Sequence, residues 1–268
     1  MTVSLHLAAL VAYSAATALL FVSLVRTSVR LPDYATGIVA LGLALHLGGL
    51  ASYATDFGEL PLQGLGPVLS SLALLIAGGS VVFAVLSRTG PLGIVLTPVA
   101  ALAVAAALLT GLRPGDEATG GFWFVLHVVL STVGYAALTV AFAAGLMYLL
   151  QFRQLKDKHF GAVFRFFPPL QTLDRIGGTS LWTGFAALSA GLLLGATVAG
   201  AGDPAAVGNP HLLWGVLTWL VFGGALLART GRGRAGFRGA LASVVGFVIV
   251  VFAYLLLRTQ FSGGGVFL

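Results

Sequence analysis

The 268-residue chain contains no cysteine, and charged residues make up only 8% of it. The absence of cysteine excludes a dithiol relay, a cysteine nucleophile and a thiolate metal site within this chain. Hydrophobic residues make up 58% of the sequence, so the few charges could not cover the surface of a soluble domain of this length. The apolar excess is therefore expected to face lipid, and the lipid bilayer is the first expected partner.

Several catalytic motifs are also missing from the sequence. It has no P-loop, no nucleophile elbow, no HExxH helix and no dinucleotide-binding fingerprint. A conventional active site of the soluble type is therefore not expected. The basic residues lie in short loops between apolar runs, where they set membrane topology rather than bind nucleic acid.

Long apolar runs dominate the chain, and a helix needs about 20 such residues to cross the hydrocarbon core of a bilayer. Eight runs qualify: Val3–Val25, Thr36–Ala54, Gly66–Ser87, Pro91–Leu112, Phe122–Leu150, Gly178–Gly200, His211–Ala228 and Ala240–Leu257. The first has no basic residues before it, so we expect a retained helix rather than a signal peptide. The alternation typical of a membrane barrel is absent. The sequence predicts an all-α, polytopic membrane bundle of eight transmembrane helices, forming a single domain over residues 1–268.

Basic residues divide unequally between the two sets of alternate loops. Twelve lie in one set, and only Arg113 and Arg258 lie in the other. Cytoplasmic loops carry the excess of Lys and Arg, so this bias predicts that both termini lie outside. The longest cytoplasmic connection is predicted over residues 151–177. Phe160, Phe164 and Phe167 recur there at i, i+4, i+7, which favours a short amphipathic interfacial helix; a basic loop attracted to anionic lipid explains the pattern equally well.

Four of the five histidines lie in or beside the predicted outer halves of the helices: His6, His46, His127 and His211. Ionisable groups inside a membrane are costly and usually functional. One helical histidine is more often a hydrogen-bonded packing residue than a ligand, but several at similar depth favour a metal centre. Without cysteine or buried carboxylates, two axial imidazoles on a haem iron are preferred over zinc, which ordinarily takes three protein ligands.

Other outer residues have two interpretations each. Arg258 would pair with haem propionates or snorkel to the interface. Trp123 and Trp214 would contribute to a haem site or anchor the protein at the membrane surface. Gly42, Gly48 and Gly49, near His46, would let a flat macrocycle approach the helix or allow close helix packing.

Four segments, in order along nearly the whole chain, resemble the CcsA-like cytochrome c assembly proteins. They are LALHLGGLASYATDFGELPLQGLGPVLSSLA around His46, LHVVLSTVGYAALTVAFAAGLMYLLQFRQLK around His127, NPHLLWGVLTWLVFGGALLART, and GFVIVVFAYLL. The tryptophan-rich outer motif of that family is absent from GAGDPAAVGNPH, Leu227 replaces a histidine, and FSGGGVFL lacks the outer histidine after the last helix. The chain therefore resembles the short, eight-helix HemX-type branch, whose PPL-x-x-(L/I)-(D/E)-R segment is similar to PPLQTLDR.

The resemblance implies a haem-binding, haem-handling protein of cytochrome c biogenesis, without catalysis of its own, in the bacterial cytoplasmic (inner) membrane. His127 matches an outer haem-ligand histidine and His46 a recurrent second-helix histidine, whereas His6 and His211 have no secure counterpart. Haem, as haem b, is expected in the outer half of the bundle on His127 and His46. Other cytochrome c maturation proteins and apocytochrome c are the expected partners.

Two alternatives remain open on the sequence alone. The first is a HemX-type regulator that contacts glutamyl-tRNA reductase, the entry step of haem synthesis, through residues 151–177. The second is a small-solute permease, which is less favoured because the predicted helices carry no charged interior residues and no clearly broken pairs.

Overall fold

The computed structural model describes residues 1–26, 28, 30–115, 121–158, 161–198, 210–230 and 235–261, and this part of the chain is helical without strands. Its helices are α1 Thr2–Arg26, α2 Leu31–Phe57, α3 Leu65–Leu86, α4 Gly93–Thr110, α5 Phe122–Lys156, α6 Ala162–Phe166, α7 Leu170–Val198, α8 Pro210–Thr230 and α9 Ala235–Phe261. All except α6 are long and apolar enough to cross a membrane, which gives eight candidate spans in the described part of the chain. The predicted polytopic all-helical bundle is confirmed, while its orientation stays a prediction.

The connection predicted over residues 151–177 is shorter in the structure. α5 continues to Lys156 and α7 already begins at Leu170. Hydropathy falls where a helix leaves the apolar layer, but Gln, Arg, Leu and Lys are all good helix formers, so the helix itself continues. The apolar runs therefore mark the membrane-compatible part of these helices and underestimate their length.

The short α6 occupies the remaining connection. It ends at Phe166, and Phe167 has extended backbone, because the residue before a proline is disfavoured in the helical region. Its Phe164 amide donates to Gln154 Oε1 of α5 at 3.1 Å. Phe167 is buried in the protein, and Phe160 lies outside the described residues, so an amphipathic interfacial helix stays a prediction.

The chain divides into two compact units, each described by itself. The first comprises Met1–Pro114 with Met147–Leu173, and the second comprises Gly115–Leu146 with Asp174–Leu268. In the first unit, α1 packs along α2 and contacts α4, while α3 packs against α4 and α2. The buried face of α1 carries Thr2, His6, Ala9, Tyr13, Ala16, Leu20 and Ser23. Polar groups thus recur along the face that α1 presents to its neighbours.

The second unit is built from α5, α7, α8 and α9. Its apolar core consists of Leu138, Ala141, Leu181, Leu188, Phe222, Ala225, Leu226 and Val250. Glycines let α5 and α7 approach closely, because Leu188 packs on Gly134 and Leu138 packs on Gly184. Small residues at helix crossings are the usual device for close packing in membranes, where the hydrophobic effect does not hold helices together.

We expect Ser189→Ala to destabilise the second unit modestly. The Trp219 Nε1–H of α8 donates to Ser189 Oγ of α7 at 2.8 Å, and removing the acceptor costs about 1 kcal/mol. Unfolding in mixed detergent–SDS micelles, followed by tryptophan fluorescence, measures this loss. Ser243→Ala is the matched control, since the Ser243 hydroxyl bonds the Gly239 carbonyl of its own helix. Equal losses in both variants would contradict a role for the interhelical bond.

Candidate functional site

His6 of α1 and His46 of α2 lie together in the first unit, both fully buried. The Nε2 atoms of both rings lie 2.8 Å from the Ser70 Oγ of α3. His6 Nδ1 lies 2.8 Å from the Thr2 carbonyl oxygen, and His46 Nδ1 lies 3.3 Å from the Tyr13 hydroxyl. Nothing in the sequence indicated that Ser70 joins the two histidines.

The direction of these hydrogen bonds follows from the carbonyl at one end. Because a carbonyl can only accept, His6 carries its hydrogen on Nδ1, and its Nε2 accepts from the Ser70 hydroxyl. Ser70 has one hydrogen, so the His46 Nε2–H donates to Ser70 Oγ and the Tyr13 hydroxyl donates to His46 Nδ1. Every nitrogen of both neutral rings is then engaged, as buried polar groups in native structures generally are.

The network continues to one end of the unit. Thr2 Oγ1 lies 2.9 Å from Ser52 Oγ and 2.8 Å from Asp56 Oδ2, and the Ser52 hydroxyl reaches the same carboxylate at 3.3 Å. Asp56 is exposed. Polar side chains and the Thr2 backbone carbonyl therefore connect a surface carboxylate to the buried histidines.

The surroundings of His46 leave no space for a macrocycle in this conformation. A Cβ atom added at Gly49 would lie 2.7 Å from His6 Nδ1, and one at Gly42 would lie 2.8 Å from Tyr13 Cε1. Both glycines therefore serve close packing of α2 against α1. Ligation of a haem iron by His46 would require its ring to give up Ser70 or Tyr13.

His127 has a different environment in the second unit. Its Nδ1–H donates to the Gly191 carbonyl of α7 at 2.6 Å, which leaves the lone pair on Nε2, and no described residue forms a hydrogen bond with that atom. The ring lies against Gly195, where an added Cβ would be 2.6 Å from His127 Cε1. Metal-ligating histidines typically donate their other ring N–H to a carbonyl in this way, so His127 fits a haem iron by its donor chemistry.

The other predicted site residues are placed as follows. Trp214 stacks on Tyr135 with ring centroids 4.7 Å apart, and its Nε1–H donates to the Val250 carbonyl at 3.3 Å. Arg258 lies beside the Tyr254 hydroxyl, and the Tyr254 ring is 5.4 Å from Trp214. Trp123 is 60% exposed, and the side chain of His211, on α8, lies outside the described residues.

A conventional zinc site is not formed by the part of the chain that the structure describes. No three or more His, Asp or Glu side chains converge there, whereas structural zinc sites use four protein ligands and catalytic sites three. The candidate centres are therefore the His6–His46 pair of the first unit and His127 of the second.

The sequence did not reveal a role for Arg229 at the end of α8. Its Nη2 donates to the Asp174 carbonyl oxygen at 2.9 Å and to the Asp174 carboxylate. Its side chain also packs on Gly178 and Gly239. Asp174 belongs to the segment PPLQTLDR, so this segment holds the start of α7 against the end of α8. Gly178 and Gly239 were the available signal in the sequence, because a glycine leaves room on a helix for a long side chain from a neighbouring helix.

Comparison with known proteins identifies the family. The cytochrome C assembly protein family matches residues 3–263. A 28.8 kDa protein of Azospirillum brasilense is 37% identical over 144 residues, covering 53% of this chain and 51% of that protein. The cytochrome c biogenesis protein CcsA of Chlamydomonas reinhardtii is 31% identical over 134 residues, covering 50% of this chain and 37% of that protein.

A longer match is to CcsA of Parasynechococcus marenigrum, which is 28% identical over 253 residues, covering 82% of this chain and 83% of that protein. The chain thus spans only about half or less of the Azospirillum and Chlamydomonas relatives. The family match, however, covers nearly all of the chain. The chain belongs to the cytochrome c assembly protein family, as a CcsA-like multi-pass membrane protein.

Proposed function

We propose that this protein binds haem, as haem b, and handles it during cytochrome c biogenesis, with the haem in the outer half of the bundle. The observation that carries the proposal is the environment of His127. The bond from His127 Nδ1–H to Gly191 fixes the tautomer, so the Nε2 lone pair is available to an axial position of iron. The protein would be a carrier or acceptor of haem in the bacterial cytoplasmic membrane, not an enzyme.

Other groups of the second unit would support the bound haem. Arg258 carries a cation near the end of α9 and would pair with a propionate. Trp214, held by Tyr135 and the Val250 carbonyl, would offer a rigid apolar surface to the macrocycle. Haem is the cargo here, so its ligation need not be strong: the protein must release the haem when a maturation partner or apocytochrome c takes it.

His46 is proposed as the second ligand on the strength of the resemblance. Both of its ring nitrogens are hydrogen-bonded, so ligation there would exchange one of these bonds for iron. His6, His211 and Trp123 remain predicted contributors.

An absorption spectrum of the detergent-purified protein, oxidised and reduced, tests the proposal. We expect a Soret band and reduced α/β bands after haemin is added, and we expect His127→Ala to abolish most of this binding because it removes the oriented Nε2. His46→Ala shows whether the second histidine contributes. His159→Ala is the matched control, since the fifth histidine, His159, belongs to segment 151–177, which the charge bias predicts to be cytoplasmic.

Two results would count against haem binding by His127. One is a colourless protein that takes up no added haemin, and the other is an unchanged spectrum in His127→Ala. The first would redirect attention to the regulatory alternative, in which deleting the basic residues of segment 151–177 disturbs tetrapyrrole levels.

A further inference from the structure

We propose that His6, His46 and Ser70 form a binding site for a monovalent transition-metal ion, Cu(I). The site lies wholly within the first unit and uses neither His127 nor haem. It shares His6 and His46 with the residues proposed above for haem, but His127, which carries the haem proposal, takes no part in it.

The two imidazoles converge as ligands of one ion would. Both Nε2 atoms lie 2.8 Å from the same Ser70 oxygen, and the ring centroids are 5.0 Å apart at an interplanar angle of 74°. With metal–nitrogen bonds of about 2 Å, two imidazoles on one ion with a bent N–metal–N angle have their ring centres roughly 5–6 Å apart. An ion beside Ser70 would bind both nitrogens and the hydroxyl in place of the two hydrogen bonds that now join them.

The opposite side of each ring is held by an oxygen atom. His6 Nδ1–H donates to the Thr2 carbonyl, so its Nε2 lone pair already faces the site. His46 Nδ1 lies beside the Tyr13 hydroxyl, which can accept as well as donate. In the ion-bound form the His46 hydrogen moves from Nε2 to Nδ1, with no net release of a proton. Such orienting partners are the usual second layer of a metal site.

The charge and number of the donors select the ion. Imidazole is a good ligand for zinc, copper, iron and nickel. Zinc ordinarily takes at least three protein ligands, often with a thiolate or carboxylate, and this site offers two neutral rings and a hydroxyl. Because uncompensated charge is costly among membrane helices, an ion of single charge is favoured over a divalent one. Among these metals, copper is the one with a common monovalent state.

An entry route leads to the site from one end of the unit. The exposed Asp56 carboxylate attracts cations and bonds the hydroxyls of Thr2 and Ser52. The Thr2 carbonyl in turn accepts from His6 Nδ1–H. These oxygens would pass an ion inward, where the two nitrogens bind it more strongly. A metal site needs ligands, orienting groups and an entry path, and the first unit supplies all three.

Anaerobic titration of the detergent-purified, haem-free full chain with Cu(I), in competition with the chelator bicinchoninate, tests the proposal. We expect one equivalent of Cu(I) to be retained. His6→Gln and His46→Gln, which keep a hydrogen-bonding side chain of similar size, should each weaken binding at least a hundredfold. Ser70→Ala should weaken it about tenfold, and His127→Gln should leave it unchanged. X-ray absorption of the wild-type protein should show two imidazole nitrogens on copper.

Three outcomes would overturn the assignment. The first is a wild type that retains no Cu(I) against the chelator. The second is a double variant, His6→Gln/His46→Gln, that retains as much Cu(I) as the wild type. The third is tighter binding of Zn(II) than of Cu(I) by the histidines. A protein that binds haemin but no Cu(I) would overturn this inference alone. One that binds Cu(I) but no haemin would overturn only the haem proposal.

Discussion

A Gly195→Ala variant is expected to bind haemin 10–100-fold more weakly than the wild type while keeping its fold. The new methyl group would lie 2.6 Å from Cε1 and 2.9 Å from Nδ1 of His127, so the imidazole must turn away. Turning breaks its bond to the Gly191 carbonyl, and losing the partner that orients a ligating histidine typically costs 10–100-fold in metal affinity. Haemin titration followed at the Soret band measures the loss.

Gly224→Ala is the matched control for this variant. It places the same methyl group in a membrane helix of the same unit, but nothing lies within 4 Å of the added atom. Haem affinity and circular dichroism should match the wild type. If Gly195→Ala bound haemin like the wild type while His127→Ala did not, the ring orientation set by Gly191 would be irrelevant to ligation. That result would remove the observation on which the haem proposal rests.

The all-helical fold was predictable from the sequence because lipid leaves few choices. A backbone inside the bilayer must satisfy its own hydrogen bonds, so long apolar runs without barrel alternation become helices. Helix ends were less predictable. α5 runs on through QFRQLK to Lys156, because the polar residues after the apolar run favour a helix as much as a loop.

The sites were predictable only in part. Histidines stand out in apolar helices, so His6, His46 and His127 were identified as candidates. Ser70 was not, since it lies 64 residues from His6 and 24 from His46, and a serine in an apolar helix is common. The Gly191 carbonyl that orients His127 leaves no signal at all, because every residue has a carbonyl. Which atoms meet depends on helix rotation, and hydropathy does not determine rotation in a chain that is apolar on most faces.

Replacing Arg229 with methionine is expected to lower the free energy of unfolding of the second unit by about 2 kcal/mol. Hydrogen bonds to charged groups contribute about 1.5–3 kcal/mol each. The expected loss lies at the low end of that range because Asp174 keeps part of its hydration. The Arg229 side chain is 17% exposed and that of Asp174 40%. Methionine retains the apolar stem that packs on Gly239 and loses the guanidinium, which packs on Gly178 and forms both bonds to Asp174. Unfolding in mixed detergent–SDS micelles measures the change.

Arg175→Met is the control, because it removes an exposed arginine next to the same aspartate. It should change stability by less than about 0.5 kcal/mol, as surface substitutions usually do. Asp174→Asn should cost less than Arg229→Met, since the bond from Arg229 to the Asp174 backbone carbonyl survives. A double-mutant cycle of the two changes then isolates the side-chain contact. A coupling energy near zero would mean that Arg229 holds α7 and α8 together through the Asp174 backbone carbonyl and through side-chain packing. The Asp174 carboxylate of PPLQTLDR would then make no contribution to this contact.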